Sequence, residues 1–286
     1  MRILVTGSAG RIGRELVKSL LDARYEVRSF DRAAHKAEGW EHLSGDLRDL
    51  FSVRRAVQGV DAVVHLGAVA NDGMATPEDL LNINVQGTLN VLLACQEAGV
   101  GRLVNFSSVN SLGVVGGHSK PLQFPVRDDY PRHPQSNYQL SKHLGEEACK
   151  SYSAKYGIVT ICLRPVSVTG GGSGFSHWLQ NMSQEQRNNW FRSELCAYVD
   201  VKDVCDAVLK SLTVENVSHA CFLLNADDMA CPIPTMEMTE AIHPEVPWVQ
   251  DREAYFAGNP FRSLIDSSAA KEILGWRPKV SWRDPR

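Results

Sequence analysis

Long apolar runs are missing from this sequence. No stretch reaches the roughly 18 residues that a helical membrane span needs, so no membrane role is expected. The seven cysteines are odd in number and include no CxxC pair. Most lie inside apolar patterns, where a cysteine behaves as a small hydrophobe. The nine histidines contain no HExxH or comparable ligand spacing, which argues against a structural metal. Excess charge of one sign is also missing: 30 Lys and Arg oppose 33 Asp and Glu, a formal net charge of −3. That balance offers no basic footprint for nucleic acid or an anionic membrane. There is no internal repeat and no low-complexity segment. Because an apolar strand pattern starts at Arg2, we expect no leader sequence and a reducing, cytoplasmic setting.

What is present is ordinary globular composition, 43% hydrophobic and 22% charged. At 286 residues the chain suits one large domain with a smaller appendage. Short apolar runs at 2–6, 26–30, 42–44, 62–66, 103–107 and 160–164 read as strands. Helical patterns at 12–23, 52–58, 80–97 and 137–156 lie between them. This βαβ rhythm predicts an α/β fold, a Rossmann doubly wound parallel sheet with a small C-terminal substrate-binding subdomain. After Gly170 the rhythm breaks. Residues 198–201 and 221–224 read as further strands, 204–212 as a helix, and the four prolines between Cys231 and Pro247 favour loop or short helix. We therefore expect a nucleotide-binding domain from 1–170, rejoined by 198–225. Residues 171–197 and 226–286 are then left to the subdomain.

Chemistry enters first at Thr6-Gly7-Ser8-Ala9-Gly10-Arg11-Ile12-Gly13, where glycines join a buried strand to an amphipathic helix. Gly7 permits a tight turn, Gly10 lets backbone N–H groups approach a pyrophosphate, and Gly13 allows close packing of helix on strand. The helix N-terminus presents the positive end of its dipole to phosphate. Asp31 follows at the offset expected of an acid that accepts from a ribose 2′-hydroxyl and repels a 2′-phosphate. That repulsion favours NAD over NADP, although Arg11 and Arg32 would soften it.

Tyr138 and Lys142 stand four residues apart on a helical pattern, hence on one face. Taking a phenol from about 10 to about 7 costs about 4 kcal/mol. One ammonium at about 4 Å and an effective dielectric near 20 supplies energy of that order. Serines at the tip of the fifth strand lie at the sheet's carboxyl edge, where open α/β sheets bind ligands. Ser108 is the choice to hold a reacting oxygen. Ser107 and Ser111 are the fallbacks, or cap local backbone.

These residues together resemble the extended short-chain dehydrogenase/reductases, the group also called NAD-dependent epimerase/dehydratases. The resemblance is carried by TGSAGRIG at 6–13, Asp31, Gly45-Asp46-Leu47 and His65-Leu66-Gly67-Ala68. It continues through Asn84-Val85-Gln86-Gly87-Thr88, Ser107-Ser108, the Tyr138/Lys142 pair and Leu163-Arg164-Pro165. Tyr198 through Val204 and Leu274 through Pro278 complete it. It implies that Ala9, Arg11, Ile12, Leu66, Gly67 and Ser107 belong with the glycine loop in holding the cofactor. Asp46 and Leu47 would lie along the adenine, and Ala68 near phosphates and ribose. Lys142 would also grip the nicotinamide ribose, while Pro165 and Val168 flank the nicotinamide. Asn84 either positions Lys142 through water or is a packed helix asparagine. A homodimer through the helices at 80–97 and 137–156 is implied in the same way.

Departures from the family narrow the reading. Val109 and Asn110 stand where dehydratases carry acids, and only 169–197 is available to clasp a nucleotide diphosphate. The layout is more similar to aldose or uronate dehydrogenases. The expected activity is NAD-dependent hydride transfer on a sugar-like small molecule, with Tyr138, Lys142 and Ser108 catalytic. Asn71, Asp72, Asn110, Ser111, His177, Trp178 and Arg192 are substrate-side candidates; His177 and Trp178 serve equally as loop packing. A nucleotide-sugar epimerase that retains NAD is one rival, and a non-catalytic NAD-sensing scaffold another.

Overall fold

A computed structural model of the chain describes residues 1–33, 39–170, 178–179 and 181–284. Its centre is a sheet of seven strands: β1 (Arg2–Thr6), β2 (Glu26–Asp31), β3 (Glu41–Ser44), β4 (Ala62–His65), β5 (Arg102–Phe106), β6 (Val159–Pro165) and β9 (His219–Leu224). All pair in parallel, in the order β3-β2-β1-β4-β5-β6-β9. The strand interiors of β1 and β4 are apolar because both faces are covered, whereas β2, β5 and β6 bury polar residues such as Ser29, Asn105 and Arg164. Successive residues feed opposite layers. Ile3 and Val5 of β1, Ala62 and Val64 of β4, and Val104 of β5 enter one core. Leu4, Val63 and Leu103 enter the other.

The first layer is closed by α1 (Arg11–Asp22), which buries Leu16, Val17 and Leu20, and by α7 (Val201–Ser211). On the second face lie α2 (Leu50–Val57), α4 (Gly87–Ala98) and α5 (Asn137–Tyr156). The order of winding reverses between β1 and β4, which opens a crevice beyond their carboxyl ends. That reversal places Gly7 next to Gly67.

Three features differ from the sequence pattern. The helix expected over 80–97 is divided into α3 (Pro77–Leu81), a π-helical turn (Asn82–Gln86) and α4. A wider turn of this kind re-aims a side chain, here Asn84. Beyond β6 a short strand β7 (Ser167–Thr169) pairs with β8 (Tyr198–Asp200) outside the main sheet, while β9 returns to β6. The polar stretch before Arg192 forms α6 (Gln184–Glu194), begun by a reciprocal capping box between Ser183 and Gln186. Three short helices follow: α8 (Thr235–Ile242), α9 (Arg252–Phe256) and α10 (Ser268–Ile273). Just after α10, fully buried Trp276 donates to the Asp203 carbonyl at 2.8 Å.

One buried ion pair joins these layers. Arg164 of β6 meets Glu146 of α5 through two hydrogen bonds of 2.8 and 2.9 Å, and Arg132 adds a third cationic contact. Burial alone would raise the Glu146 carboxyl, but Arg164, then Arg132 and Ser107, outweigh it and hold it at about 2. A folded-state value below the ordinary one contributes stability at neutral pH that is lost as pH falls from the ordinary carboxylate range toward 2. Glu146→Gln, which leaves the buried Arg164 only its Asp128 contact at 3.2 Å, should cost about 3–5 kcal/mol. Thermal unfolding at pH 7 checks this, and the gap between variant and wild type should narrow in acid.

Candidate active site

The glycine loop lies where β1 meets α1. Gly7 has φ +69°, and a Cβ on it would sit 2.6 Å from the Gly67 nitrogen. On Gly13 a Cβ would come within 2.3 Å of the Gly7 carbonyl oxygen. Both positions therefore exclude side chains for steric reasons. Helix α1 starts at Gly10 with no side-chain cap and no acid in its first turn. Its first N–H groups remain available to an anion, reinforced by the dipole. The Asp31 carboxylate, at the tip of β2, accepts from the N–H groups of Ala9 and Ala33, each at 3.0 Å. It thus braces the loop as well as charging it.

A chamber of about 360 Å³ runs over this loop, lined by Gly7, Ala9, Gly10, Asp31, Arg32, Asp46, Leu47, Leu66, Gly67 and Ala68. A second, of about 600 Å³, shares Gly7, Gly10, Leu66 and Ala68 with it and continues to Arg11, Ile12, Gly13, Asn71, Ser107, Ser108, Asn110, Tyr138, Lys142, Pro165 and Val168. The shared residues join the two chambers into one trough. Arg11 does not point toward Asp31. Its guanidinium donates to the carbonyls of Val168 (2.8 Å) and Gly170 (3.3 Å) and ties α1 to the end of β7.

Helix α5 delivers the tyrosine and lysine. Ser136 caps it by accepting from the Gln139 N–H at 3.2 Å. Asp72 accepts from the Ser136 hydroxyl at 2.7 Å and from the Tyr138 N–H at 2.9 Å. Lys142 lies one turn on, its Nζ 5.7 Å from the Tyr138 ring centre, donating to the Phe106 carbonyl at 2.9 Å. Burial lowers this lysine to about 8, against an opposing pull from Glu146. Burial also pushes the Tyr138 phenol up to about 12; Ser108 opposes that rise, while Glu194 and Asp72 add to it. From the sequence, the Lys142 ammonium, with the nicotinium ring of bound NAD adding to it, is expected to lower the phenol; in this structure Lys142 instead donates to the Phe106 carbonyl. The carboxylates around Tyr138 act against ionisation.

Behind the lysine, Asn84 occupies the π-helical turn. Its amide accepts from the Val69 N–H (2.7 Å) and donates to the Val69 carbonyl (3.0 Å) and the Ser141 hydroxyl (3.0 Å). It braces the 66–71 loop against α5. His65, at the tip of β4, is buried between Thr6 (2.7 Å) and Thr88 (3.1 Å). Burial, then the Lys142 charge, lowers it to about 3, so it is a neutral peg.

Several substrate-side residues fall elsewhere than expected. Ser111 is fully buried and donates to Glu146 at 2.8 Å, so it does not face the trough. Ser107 lines the trough, yet its hydroxyl also donates to Glu146, at 2.6 Å. Of the three serines, only Ser108 keeps its oxygen in the site, where it accepts from the Asn110 N–H at 3.2 Å. Arg192 is exposed on α6, donates to Asn189 at 3.1 Å, and does not line the chamber. Residues two apart on a helix face different ways; Glu194, which the sequence reading passed over, lines the chamber instead. It accepts from the Ser167 hydroxyl at 2.7 Å, a meeting set by the β7–β8 pairing and without a sequence signal. Trp178 packs edge-on against Trp190, ring centres 5.1 Å apart, and Asn71 caps the turn at Asp72 through the Gly73 N–H at 3.0 Å. His177 lies outside the described residues. Among the described residues no helix is long and apolar enough to cross a membrane.

The model of the NAD dependent epimerase/dehydratase family matches residues 3–220. Among curated relatives, a uronate dehydrogenase of Pseudomonas putida is 28% identical over 221 residues, 76% of this chain and 74% of the relative. A putative UDP-glucose 4-epimerase of Methanocaldococcus jannaschii is 28% identical over 303 residues, 99% and 95% of the two chains. Among solved structures, a short-chain dehydrogenase/reductase superfamily protein of Agrobacterium tumefaciens with bound NAD superposes with a TM-score of 0.73. It is 24% identical, with 99% of this chain and 94% of that one covered.

Gly13→Ala should weaken NAD binding at least about tenfold, about 1.4 kcal/mol, because the added methyl forces the α1 N-terminus away from the Gly7 carbonyl. Calorimetric titration with NAD measures it.

Proposed function

The chain belongs to the NAD-dependent epimerase/dehydratase family, and from that premise we propose that it oxidises the carbinol of a sugar or sugar-derived small molecule. One observation carries this reading. Tyr138, Lys142 and Ser108, from two separate elements, converge on the same wall of a trough that begins at the glycine loop. The cradle fits a dinucleotide: the uncapped α1 N-terminus for the pyrophosphate, Asp31 for the adenosine ribose and Lys142 for the second ribose. When bound, NAD supplies the hydride acceptor and a positive charge near the phenol.

Ser108 holds the reacting oxygen by hydrogen bonding and steadies developing negative charge on it. Tyr138 takes the carbinol proton in oxidation and returns it in reduction. Bringing a phenol from about 12 to neutrality costs roughly 7 kcal/mol. One ammonium at about 4 Å supplies about 4 kcal/mol. Lys142 therefore covers part of that gap once it turns from the Phe106 carbonyl, and the remainder requires a second cation in the trough. Asn84, through Ser141 and Val69, keeps α5 and the 66–71 loop in register while this occurs.

In this reading residues 1–170 with 198–225 bind the cofactor, and 171–197 with 226–286 enclose the substrate. The half-exposed Leu140 and Leu144 on the outer face of α5 (37% and 39%) suit a homodimer contact along α4 and α5. The cysteines are free thiols, which agrees with a reducing cytoplasm.

Tyr138→Phe should lower turnover by about 10²–10⁴-fold while NAD affinity stays within about twofold of wild type by calorimetry. A panel of sugars, uronates and sugar nucleotides, followed by absorbance of the reduced cofactor, tests the reaction itself. Tightly retained NAD with sugar inversion and no net reduced cofactor would establish an epimerase instead. NAD should be preferred to NADP by at least about tenfold, since Asp31 faces a 2′-phosphate with like charge; a preference for NADP overturns that role of Asp31.

A further inference from the structure

We infer that the substrate end of the trough selects an uncharged, polyhydroxylated carbinol and rejects sugars bearing a carboxylate or phosphate, with Glu194 as the specificity-determining residue. The inference rests on the carbinol-oxidation reading above and narrows its substrate class.

Glu194 ends α6 and lines the same chamber as Ser108 and Tyr138. Its Oε2 accepts from the Ser167 hydroxyl at 2.7 Å, which fixes a carboxylate on the substrate side. Two cations line this chamber, and both donate to backbone carbonyls: Arg11 to those of Val168 and Gly170, Lys142 to that of Phe106. The chain from 167 to 186 contains no lysine or arginine. The next cation on α6 beyond it, Arg187, donates to the Leu179 carbonyl, and Arg192 is exposed and bonded to Asn189. An anionic substrate group would therefore meet the Glu194 carboxylate, while the two lining cations keep their charge but direct their donors at the carbonyls of Val168, Gly170 and Phe106. A sugar hydroxyl, by contrast, can donate to a carboxylate. Glu194 accordingly adds to the elevation of the Tyr138 phenol.

The test pairs neutral sugars with their acids (glucose with glucuronate, galactose with galacturonate, mannose with mannuronate) and adds UDP-glucose. Each is titrated calorimetrically into protein loaded with reduced NAD, for wild type and Glu194→Gln, with reduced-cofactor formation followed in parallel. At least one neutral sugar should bind wild type about tenfold or more tightly than its acid. Glu194→Gln should strengthen uronate binding about tenfold and weaken binding of the neutral sugar, since the amide removes the charge and accepts a weaker hydrogen bond than the carboxylate. The same variant should shift the Tyr138 limb of the pH profile to lower pH, with Asp72, Ser108 and Lys142 unchanged around the phenol. The inference is overturned if a uronate or UDP-glucose binds wild type as tightly as any neutral sugar, if Glu194→Gln leaves uronate affinity unaltered, or if no neutral sugar binds. Oxidation of uronates alone sinks this inference and leaves the carbinol-oxidation reading intact. Neutral-sugar binding with the stated charge response, but no reduced cofactor from any sugar, does the reverse.

Discussion

A single buried carboxylate organises the active edge of this molecule. Glu146 lies one helical turn beyond Lys142, inside the fold, and takes hydrogen bonds from Ser107, Ser111, Arg164 and Arg132. Four donors to one carboxylate offset the desolvation of a charge that would otherwise not be tolerated there. The consequence is positional. Once the Ser107 and Ser111 hydroxyls are committed to Glu146, Ser108 is the one of the three serines whose hydroxyl is left to the trough, and α5 is locked against β5 and β6 at the level of Lys142. The pair that carries the proposed chemistry is thus held by a pair that does none.

Around that lock the site is built from opposed electrostatic demands. At the glycine loop the uncapped N–H groups of α1 concentrate positive potential, whereas Glu194 lines the adjoining chamber and Asp72 accepts from the Tyr138 N–H. Tyr138 lies between them. With its phenol held high by burial and by those carboxylates, the resting site keeps a proton on Tyr138, and charge brought into the trough decides when the proton can leave. Lys142, lowered by burial and hydrogen-bonded to Phe106, is poised for only part of that work.

Much of this was legible from residue order. The sheet, the glycine loop, Asp31 and the helix bearing Tyr138 and Lys142 all depend on local rules: continuous apolar runs for strands covered on two faces, glycine where a Cβ would collide, and the 3.6-residue turn that puts positions four apart on one face. The strand reading between 62 and 66 and the helix at 137–156 follow from those rules because nothing distant has to be known. Where a long-range contact chooses between equivalent local options, residue order is silent. Three serines within five residues look alike until Glu146 claims two of them.

The sequence by itself determined the βαβ rhythm, the glycine-rich turn and the spacing of Tyr138 and Lys142, since each is set within a few residues of chain. Only the tertiary structure decided that Asn84 turns on a π-helical bulge to hold Val69, that Arg11 reaches across to β7, and that Glu194 rather than Arg192 faces the substrate chamber. Each of these depends on which segments meet in space, and in particular on the small β7–β8 pairing, whose partners are separated by about thirty residues of unpatterned chain. Packing between remote segments carries that information, and no local periodicity encodes it.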